Sequence, residues 1–115
     1  MKKTFKITQK MIDDYGVING DNDILHYDDA YARERGFRGT LAHGLMVLGY
    51  AVELATRKYG KDWIYRGEIE VKFVGPTCPG DDLEVAIPDG GNGDVVAKVA
   101  QAGETMVGKL HLRPA

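Results

Sequence analysis

The sequence predicts an α+β fold in which an antiparallel sheet wraps around one long, buried helix. Three observations carry this prediction. The segment from Leu41 to Tyr59 begins with apolar residues on every side, which is typical of a buried helix. The chain after it contains short runs of alternating polar and apolar residues, as strands do when one sheet face is buried. Only short turns separate those runs, so the strands are expected to be antiparallel.

Length and composition suit a single domain over residues 1–115, because roughly 100–200 residues form one domain. The 15 basic and 17 acidic residues give a net charge of −2, which argues against a general nucleic-acid binder. The single cysteine, Cys78, excludes an internal disulfide and a metal site built from several cysteines. We interpret this cysteine as incidental to function.

Neither a secretory leader nor a membrane span is predicted. Lys2 and Lys3 are followed within a few residues by polar side chains rather than by an apolar segment. The longest apolar stretch, residues 44–52, is much shorter than the roughly 18 residues that a span needs. We therefore expect a soluble, cytoplasmic protein.

The first elements along the chain are short. A strand is expected over residues 3–7, and Thr8 then caps a short helix. The apolar side of that helix consists of Met11, Ile12 and Tyr15.

A turn-rich segment follows over residues 16–23, where Gly, Asn and Asp predominate. Asp28 or Asp29 opens a second short helix, and Gly36 ends it. The region before the long helix is thus predicted to be mostly loops and short helices.

The long helix is expected to start at about Leu41 and to stop at Gly60. One face repeats at the helical spacing i, i+4, i+7, i+11 and i+14. This face consists of Leu41, Leu45, Leu48, Val52 and Ala55. The other sides carry Met46, Val47, Gly49, Tyr50 and Ala51, so the first part of the helix is expected to be buried on most sides.

The second half of the chain is predicted to be strands. Residues 68–73 alternate polar and apolar, residues 89–94 suggest a hairpin turn, and Gly103 turns the chain again. The inward residues of the later strands are Leu83, Val85, Ile87, Val95, Ala97, Val99, Met106, Leu110 and Leu112. Because one such sheet leaves its edges open, we expect a homodimer or a higher homo-oligomer.

Two of the three histidines lie where they could take part in chemistry. His111 is expected on the solvent side of the last strand, whereas His26 ends a polar loop that begins at Asp21. An aspartate and a histidine in one loop can hold a water between them and move protons to and from it. From spacing alone, the alternative is that Asp21 forms an Asx turn and His26 is an ordinary loop residue.

His43 and Gly44 stand near the start of the long helix. The first turn of a helix carries unpaired N–H groups and a partial positive charge, and Gly44 has no side chain to block them. A carbonyl oxygen bound there would be stabilised as it becomes an oxyanion. Alternatively, Gly44 only permits close packing, and His43 caps the helix or packs against the core.

The order of motifs along the chain resembles the MaoC-like, R-specific enoyl-CoA hydratase and dehydratase family. That family has a Gly-Asp-x-Asn-Pro-x-His stretch, later an Ala-His-Gly, and finally a Phe followed by Pro and Pro-Gly-Asp. The matching residues are Gly20-Asp21-Asn22-Asp23-Ile24-Leu25-His26, Asp28, Tyr31-Ala32, Gly36-Phe37, Ala42-His43-Gly44, Phe73, Pro76 and Pro79-Gly80-Asp81.

The resemblance implies a hot-dog fold and a homodimer with sites near the subunit interface. It also implies reversible syn addition of water to a trans-2-enoyl thioester, giving a 3R-hydroxyacyl thioester. Asp21 and His26 would hold and activate the water and protonate the α-carbon, and the Gly44 N–H would bind the thioester carbonyl. His43 and Asp23 join Gly44 as candidate substrate-binding residues. The thioester of CoA or an acyl carrier protein is the expected substrate, with no cofactor and no metal.

Two positions depart from the family pattern, since Asp23 stands where the family has Asn and Ile24 where it has Pro. A second carboxylate beside Asp21 is expected to raise the pKa of one of the two. Two alternative functions therefore stay open. One is a hot-dog acyl-CoA thioesterase, and the other is a subunit that binds acyl thioesters without catalysis.

Overall fold

The computed structural model describes residues 1–90 and 92–115. Its sheet has five antiparallel strands in the order β1-β3-β4-β5-β2. The strands are β1 (Lys2–Lys6), β2 (Gly67–Phe73), β3 (Asp82–Ala86), β4 (Asp94–Val99) and β5 (Gly103–Leu112). A register shift interrupts the pairing of β4 with β5 between Ala97 and Lys98. The predicted antiparallel sheet is confirmed.

Four α-helices and one 3-10 turn accompany the sheet. The helices are α1 (Gln9–Asn19), α2 (Asp29–Glu34), α3 (Gly44–Tyr59) and α4 (Lys61–Arg66), and the 3-10 turn is Ile24–His26. The side chain of Thr8 accepts the N–H of Met11 at the start of α1, and Asp28 accepts the N–H of Tyr31 at the start of α2. Both predicted caps are confirmed.

The core lies between α3 and the inner face of the sheet. Alternation placed the inward strand residues correctly, since Leu83, Val85, Val95, Ala97 and Val99 are all buried. The remaining core residues include Ile7, Ile12, Met46, Val47, Ala51, Leu54, Ala55, Trp63, Ile87, Met106 and Leu110.

The helical face of α3 that repeats at the predicted spacing is only partly buried, since Ala55 lies in the core and Leu45 does not. Leu45 is 57% exposed, whereas Met46, Val47 and Ala51 are buried. A helix that is apolar on all sides has no single face that periodicity can select. Ala51, which is fully buried, belongs to the side of α3 that packs in the core.

The start of the long helix was also predicted too early. Residues 41–43 precede α3, because the Leu41 N–H donates to Leu25 O at 3.0 Å and the Ala42 N–H donates to Thr77 O at 2.7 Å. These bonds tie the segment to two other loops before the first helical turn begins. The stop at Gly60 is confirmed.

Two further elements differ from the prediction. Gly16 lies inside α1, which continues to Asn19 and ends at Gly20 with a positive φ of 73°. A Cβ at Gly16 would lie 2.0 Å from Oη of Tyr27, so the absent side chain makes room for that ring. The other difference is the helix α4, which the sequence pattern did not predict.

The turn predicted over residues 89–94 joins β3 to β4, and its strands pair as a hairpin does. Gly90 and Gly93 have positive φ angles of 69° and 81°. Gly91 lies outside the described residues.

None of the helices in the described ranges is long and apolar enough to cross a membrane.

Candidate functional site

The site forms where the loop after α1 meets the segment before α3. The N–H of Leu41 donates to Leu25 O, and Nδ1 of His26 lies 2.8 Å from Leu41 O. Two hydrogen bonds therefore connect the segments: the backbone of Leu41 donates one, and its carbonyl accepts the other from the side chain of His26. This exchange holds the ring of His26 beside the N-terminus of α3.

Asp21 and His26 are brought together as predicted. Nε2 of His26 lies 3.2 Å from Oδ2 of Asp21, while Oδ1 of Asp21 accepts the N–H of Asp23 at 3.0 Å. Asp21 therefore does form the Asx turn that spacing alone suggested, and its second oxygen remains available for the histidine. The side chain of His26 is 13% exposed and that of Asp21 is 43% exposed.

The hydrogen bonds define where the protons of His26 lie. Because the carbonyl of Leu41 can only accept, Nδ1 carries a hydrogen. The contact between Nε2 and Oδ2 of Asp21 is then a hydrogen bond only if a further proton lies between them. The pKa of Asp21 is lowered, chiefly by the backbone N–H of Asp23, with His26 adding to the effect. A proton held between Nε2 and Oδ2 would make this contact a charge-assisted hydrogen bond.

His43 lies behind the pair of Asp21 and His26, which we call the dyad. Its ring stacks on that of His26, with centroids 3.9 Å apart and planes 27° from parallel, and its side chain is 2% exposed. Nε2 of His43 donates to Ile12 O at 3.1 Å, and Nδ1 lies 3.7 Å from Oδ2 of Asp21. His43 stands at the N-cap of α3 but makes no side-chain cap bond. Its ring packs in the interior and does not line the cleft.

Gly44 is the first residue of α3 and lies in the wall of a cleft of about 490 Å³. His26 lies in the same wall, together with Phe37, Leu41, Ala42, Val47, Phe73, Val74, Gly75, Pro76, Thr77 and Thr105. A Cβ at position 44 would meet the Phe73 ring at 3.1–3.3 Å. The cleft is therefore lined by the imidazole of His26, by the start of α3 and by largely apolar residues.

Asp23 serves the loop backbone rather than the cleft. Its Oδ1 accepts the N–H of Leu25 at 3.0 Å and so caps the 3-10 turn. The expected rise in pKa is not found at Asp21, whose pKa is lowered because the N–H of Asp23 points at its carboxylate. The backbone of Asp23, not its charge, dominates this effect.

Sequence reasoning missed two residues that hold the loop. Nε2 of Gln9 donates to His26 O at 2.8 Å, which joins the first turn of α1 to the histidine. The hydroxyl of Tyr27 donates to Asp21 O. The glycine at position 16, inside an otherwise unbroken helix, was the one local signal for the second contact, because it leaves space for the Tyr27 ring.

Three potential ligands for a metal ion meet at the site, since atoms of Asp21, His26 and His43 all lie within 4.8 Å of one another. A zinc ion would have to lie about 2.0–2.1 Å from each ring nitrogen and close to each ring plane. The stacked rings run side by side at 3.9 Å, so an ion bound to both would lie well outside one plane. The arrangement is better suited to a proton shared by Asp21 and His26 than to a metal ion bound by all three side chains.

His111 and Cys78 do not line the cleft. His111 is 60% exposed and pairs with Glu68 at 3.0 Å on the solvent side of the sheet, as predicted. Cys78 is buried, and burial is the main cause of its raised pKa.

Comparison with protein families matches residues 1–109 to the MaoC-like domain. A peroxisomal hydratase-dehydrogenase-epimerase of Neurospora crassa is 34% identical over 91 residues, which are 78% of this chain and 10% of that protein. A peroxisomal multifunctional enzyme type 2 of Drosophila melanogaster is 31% identical over 70 residues, which are 59% of this chain. The matched parts are thus about a tenth of the length of these curated relatives.

Solved structures agree on the fold. A MaoC-like dehydratase from Phytophthora capsici superposes with a TM-score of 0.79 at 25% identity, over 100% of this chain and 42% of that one. An (R)-hydratase from A. caviae involved in PHA biosynthesis superposes with a TM-score of 0.75 at 15% identity, over 99% of this chain and 93% of that one. These superpositions confirm the predicted hot-dog fold.

Proposed function

Because the chain belongs to the MaoC-like domain family, we propose that it is a hydratase or dehydratase acting on enoyl thioesters. The reaction is the reversible syn addition of water to a trans-2-enoyl-CoA, giving the 3R-hydroxyacyl-CoA. An acyl carrier protein in place of CoA would present the same thioester. The reaction adds the proton and the hydroxyl group of one water and passes no electrons to a second molecule, so it requires no separate cofactor.

The observation that carries this proposal is the contact of 3.2 Å between Nε2 of His26 and Oδ2 of Asp21. With Nε2 protonated, this contact brings one carboxylate and one transferable proton to a single point beside the cleft. Hydration needs both, since a base must take a proton from water while an acid supplies one to the α-carbon.

We assign the two roles from the proton positions. Asp21, whose pKa is lowered, is an ionised carboxylate at neutral pH, and we assign it the proton taken from water as the hydroxyl group bonds to the β-carbon. His26 gives its Nε2 proton to the α-carbon. The proton now on Asp21 then returns to His26 across the same contact, which restores the starting state.

The start of α3 supports the proposal from the other side of the substrate. A thioester carbonyl directed at the N–H of Gly44 would be stabilised as it becomes enolate-like, by that donor and by the helix dipole. The apolar residues of the cleft, such as Val47 and Val74, would accept the acyl chain.

We also propose that the protein works as a homodimer or a higher homo-oligomer. The strands β1 and β2 are the two edges of the sheet. Phe73 and Val74, at the end of β2, are each 48% exposed although they line the cleft. A second copy that covered this edge would bury them and enclose the cleft. Sedimentation velocity over a range of protein concentrations tests this, and a monomer at all concentrations would contradict it.

The function is tested by following the loss of enoyl-thioester absorbance when the protein is mixed with crotonyl-CoA. We expect turnover with 3R-hydroxybutyryl-CoA as the product. Asp21→Asn and His26→Ala should each lower kcat by about 10²–10⁴-fold, because each removes one positioned acid or base. Longer enoyl-CoAs extend the test to substrates that fill more of the cleft.

Matched controls separate chemistry from general effects. His111→Ala removes an exposed histidine, and Asp14→Asn removes an exposed aspartate of α1, so both should retain full activity. Release of free thiol without hydration would indicate a thioesterase instead. Tight binding of acyl-CoA without turnover would indicate a non-catalytic binding subunit.

A further inference from the structure

One ring nitrogen of His43 has no role in the proposed chemistry. Its Nδ1 is buried and has no hydrogen-bond partner among the described residues. A buried polar atom without a partner costs free energy, typically about 1–3 kcal/mol, so such an atom calls for an explanation.

The tautomer of His43 follows from its other nitrogen. Nε2 lies 3.1 Å from Ile12 O, and because a carbonyl only accepts, Nε2 carries the hydrogen. Nδ1 of the neutral ring is therefore an acceptor. A second proton on this ring would place a charge in the interior, stacked 3.9 Å from His26.

The resting site thus presents the lone pair of His43 Nδ1 to a carboxylate, which has no proton to donate. This changes when Asp21 takes a proton. Oδ1 of Asp21 already accepts the N–H of Asp23, so the incoming proton goes to Oδ2. Oδ2 is the oxygen that faces both histidines. Until His26 gives up its Nε2 proton, only Nδ1 of His43 offers this hydroxyl a lone pair, and the 43% exposed side chain of Asp21 can shift by the small distance that the bond requires. After His26 has given up its proton, the proton of Asp21 passes to it.

We infer that His43 is a positioning residue whose Nδ1 accepts a hydrogen bond from Asp21 only while that carboxyl is protonated during turnover. The inference rests on the proposed function. It explains the unpartnered atom, because the missing bond forms as the reaction proceeds. An interaction made in the transition state and absent from the ground state raises kcat without tightening substrate binding.

Three variants separate the acceptor from the other contacts of this ring. His43→Asn keeps a polar oxygen near the place of Nδ1 and loses the bond to Ile12 O. His43→Gln keeps a donor for Ile12 O and loses the acceptor. His43→Phe keeps the stack on His26 and loses both nitrogens. Circular dichroism and urea unfolding identify the variants that fold, and the Asn and Gln pair is sufficient if the Phe variant does not.

With crotonyl-CoA as substrate, we expect kcat to fall about tenfold in the Gln and Phe variants, the loss of about one hydrogen bond. KM should stay within about twofold, and the Asn variant should recover much of kcat, because the bond is absent from the ground state. Equal kcat in the Asn and Gln variants, or a raised KM at unchanged kcat, would overturn the role of His43.

A second measurement does not depend on activity. In ¹⁵N-labelled protein without substrate, long-range ¹H–¹⁵N spectra should show His43 as the neutral tautomer protonated at Nε2. A hydrogen on Nδ1 would overturn the inference. An inactive wild-type protein would overturn the proposed function itself, which distinguishes the two failures.

Discussion

Arg38 and Asp81 form a bidentate ion pair, with Nη1 and Nη2 lying 2.7 and 2.8 Å from the two carboxylate oxygens. Asp81 is 2% exposed and also accepts the N–H of Cys78 at 2.8 Å. The pair joins the loop after α2 to the loop after β2. The first of these loops leads into Leu41, whose carbonyl holds His26. This ion pair is thus the outer support of the site.

Removing the guanidinium should destabilise the protein strongly. Arg38→Met leaves the buried carboxylate of Asp81 without its partner, and we expect the free energy of unfolding to fall by about 2–4 kcal/mol. Urea unfolding at neutral pH measures the change. Arg33→Met is the matched control, because Arg33 and Asp29 form an exposed pair and should contribute less than about 1 kcal/mol. Equal effects of the two variants would contradict this assignment.

The same ion pair predicts how stability depends on pH. Burial alone would raise the pKa of Asp81, but the hydrogen bonds from Arg38 and from the N–H of Cys78 outweigh burial and lower it. A lowered folded-state pKa gives stability that is present above the unfolded-state value, near 3.8, and is lost as pH falls through the folded value. The stability difference between wild type and Asp81→Asn should therefore narrow below pH 3.8. A difference that stays constant through this range would argue against the ion pair as its source.

Gly16 and Tyr27 should be coupled in stability. Gly16→Ala places a Cβ 2.0 Å from Oη of Tyr27, so it should displace the ring and its bond to Asp21 O. In a Tyr27→Phe background the nearest clashing atom is gone, and the same substitution should cost about 1 kcal/mol less. A double-mutant cycle by urea unfolding measures this coupling. Additive effects would show that the ring does not depend on the glycine.

Asp23 should be replaceable by the Asn that its family has at this position. Asn can accept the N–H of Leu25 as Asp does, so Asp23→Asn should leave kcat for crotonyl-CoA within about twofold. Asp23→Ala removes the cap and should lower stability by about 1 kcal/mol. A large loss of kcat in the Asn variant would mean that the charge of Asp23 takes part in the chemistry.

Gly44→Ala should separate stability from activity. Alanine favours a helix by up to about 1 kcal/mol over glycine, although position 44 is only the first helical residue. Its Cβ would press on the Phe73 ring at 3.1–3.3 Å and narrow the approach to the N–H of residue 44. We expect a fall in kcat/KM with unfolding stability unchanged or slightly raised. Unchanged kcat/KM would exclude this N–H as the carbonyl site.

Much of the architecture could be predicted because it depends on local patterns. Alternation identified the buried side of β3 and β4, where Val85 and Val95 are buried as expected. Thr8 and Asp28 fixed helix starts through side-chain caps that lie within three residues of their partners. The order of motifs also identified Asp21 and His26 as candidate catalytic residues. Spacing alone would have assigned Asp21 to a turn and His26 to an ordinary loop position.

The sequence by itself determined the sheet, the helix caps and the family. The strands and caps depend on residues close together in the chain, and the family is indicated by the order of its motifs. Only the tertiary structure decided which face of α3 is buried, where that helix begins and what surrounds the dyad. The backbone carbonyls of Ile12 and Leu41 accept hydrogen bonds from His43 and His26, and these bonds do not depend on the side chains of Ile12 and Leu41. Contacts of this kind join residues 15 and 31 positions apart, so neither periodicity nor a motif reveals them. They assign the ring protons of His26 and His43, and with them the chemistry we propose.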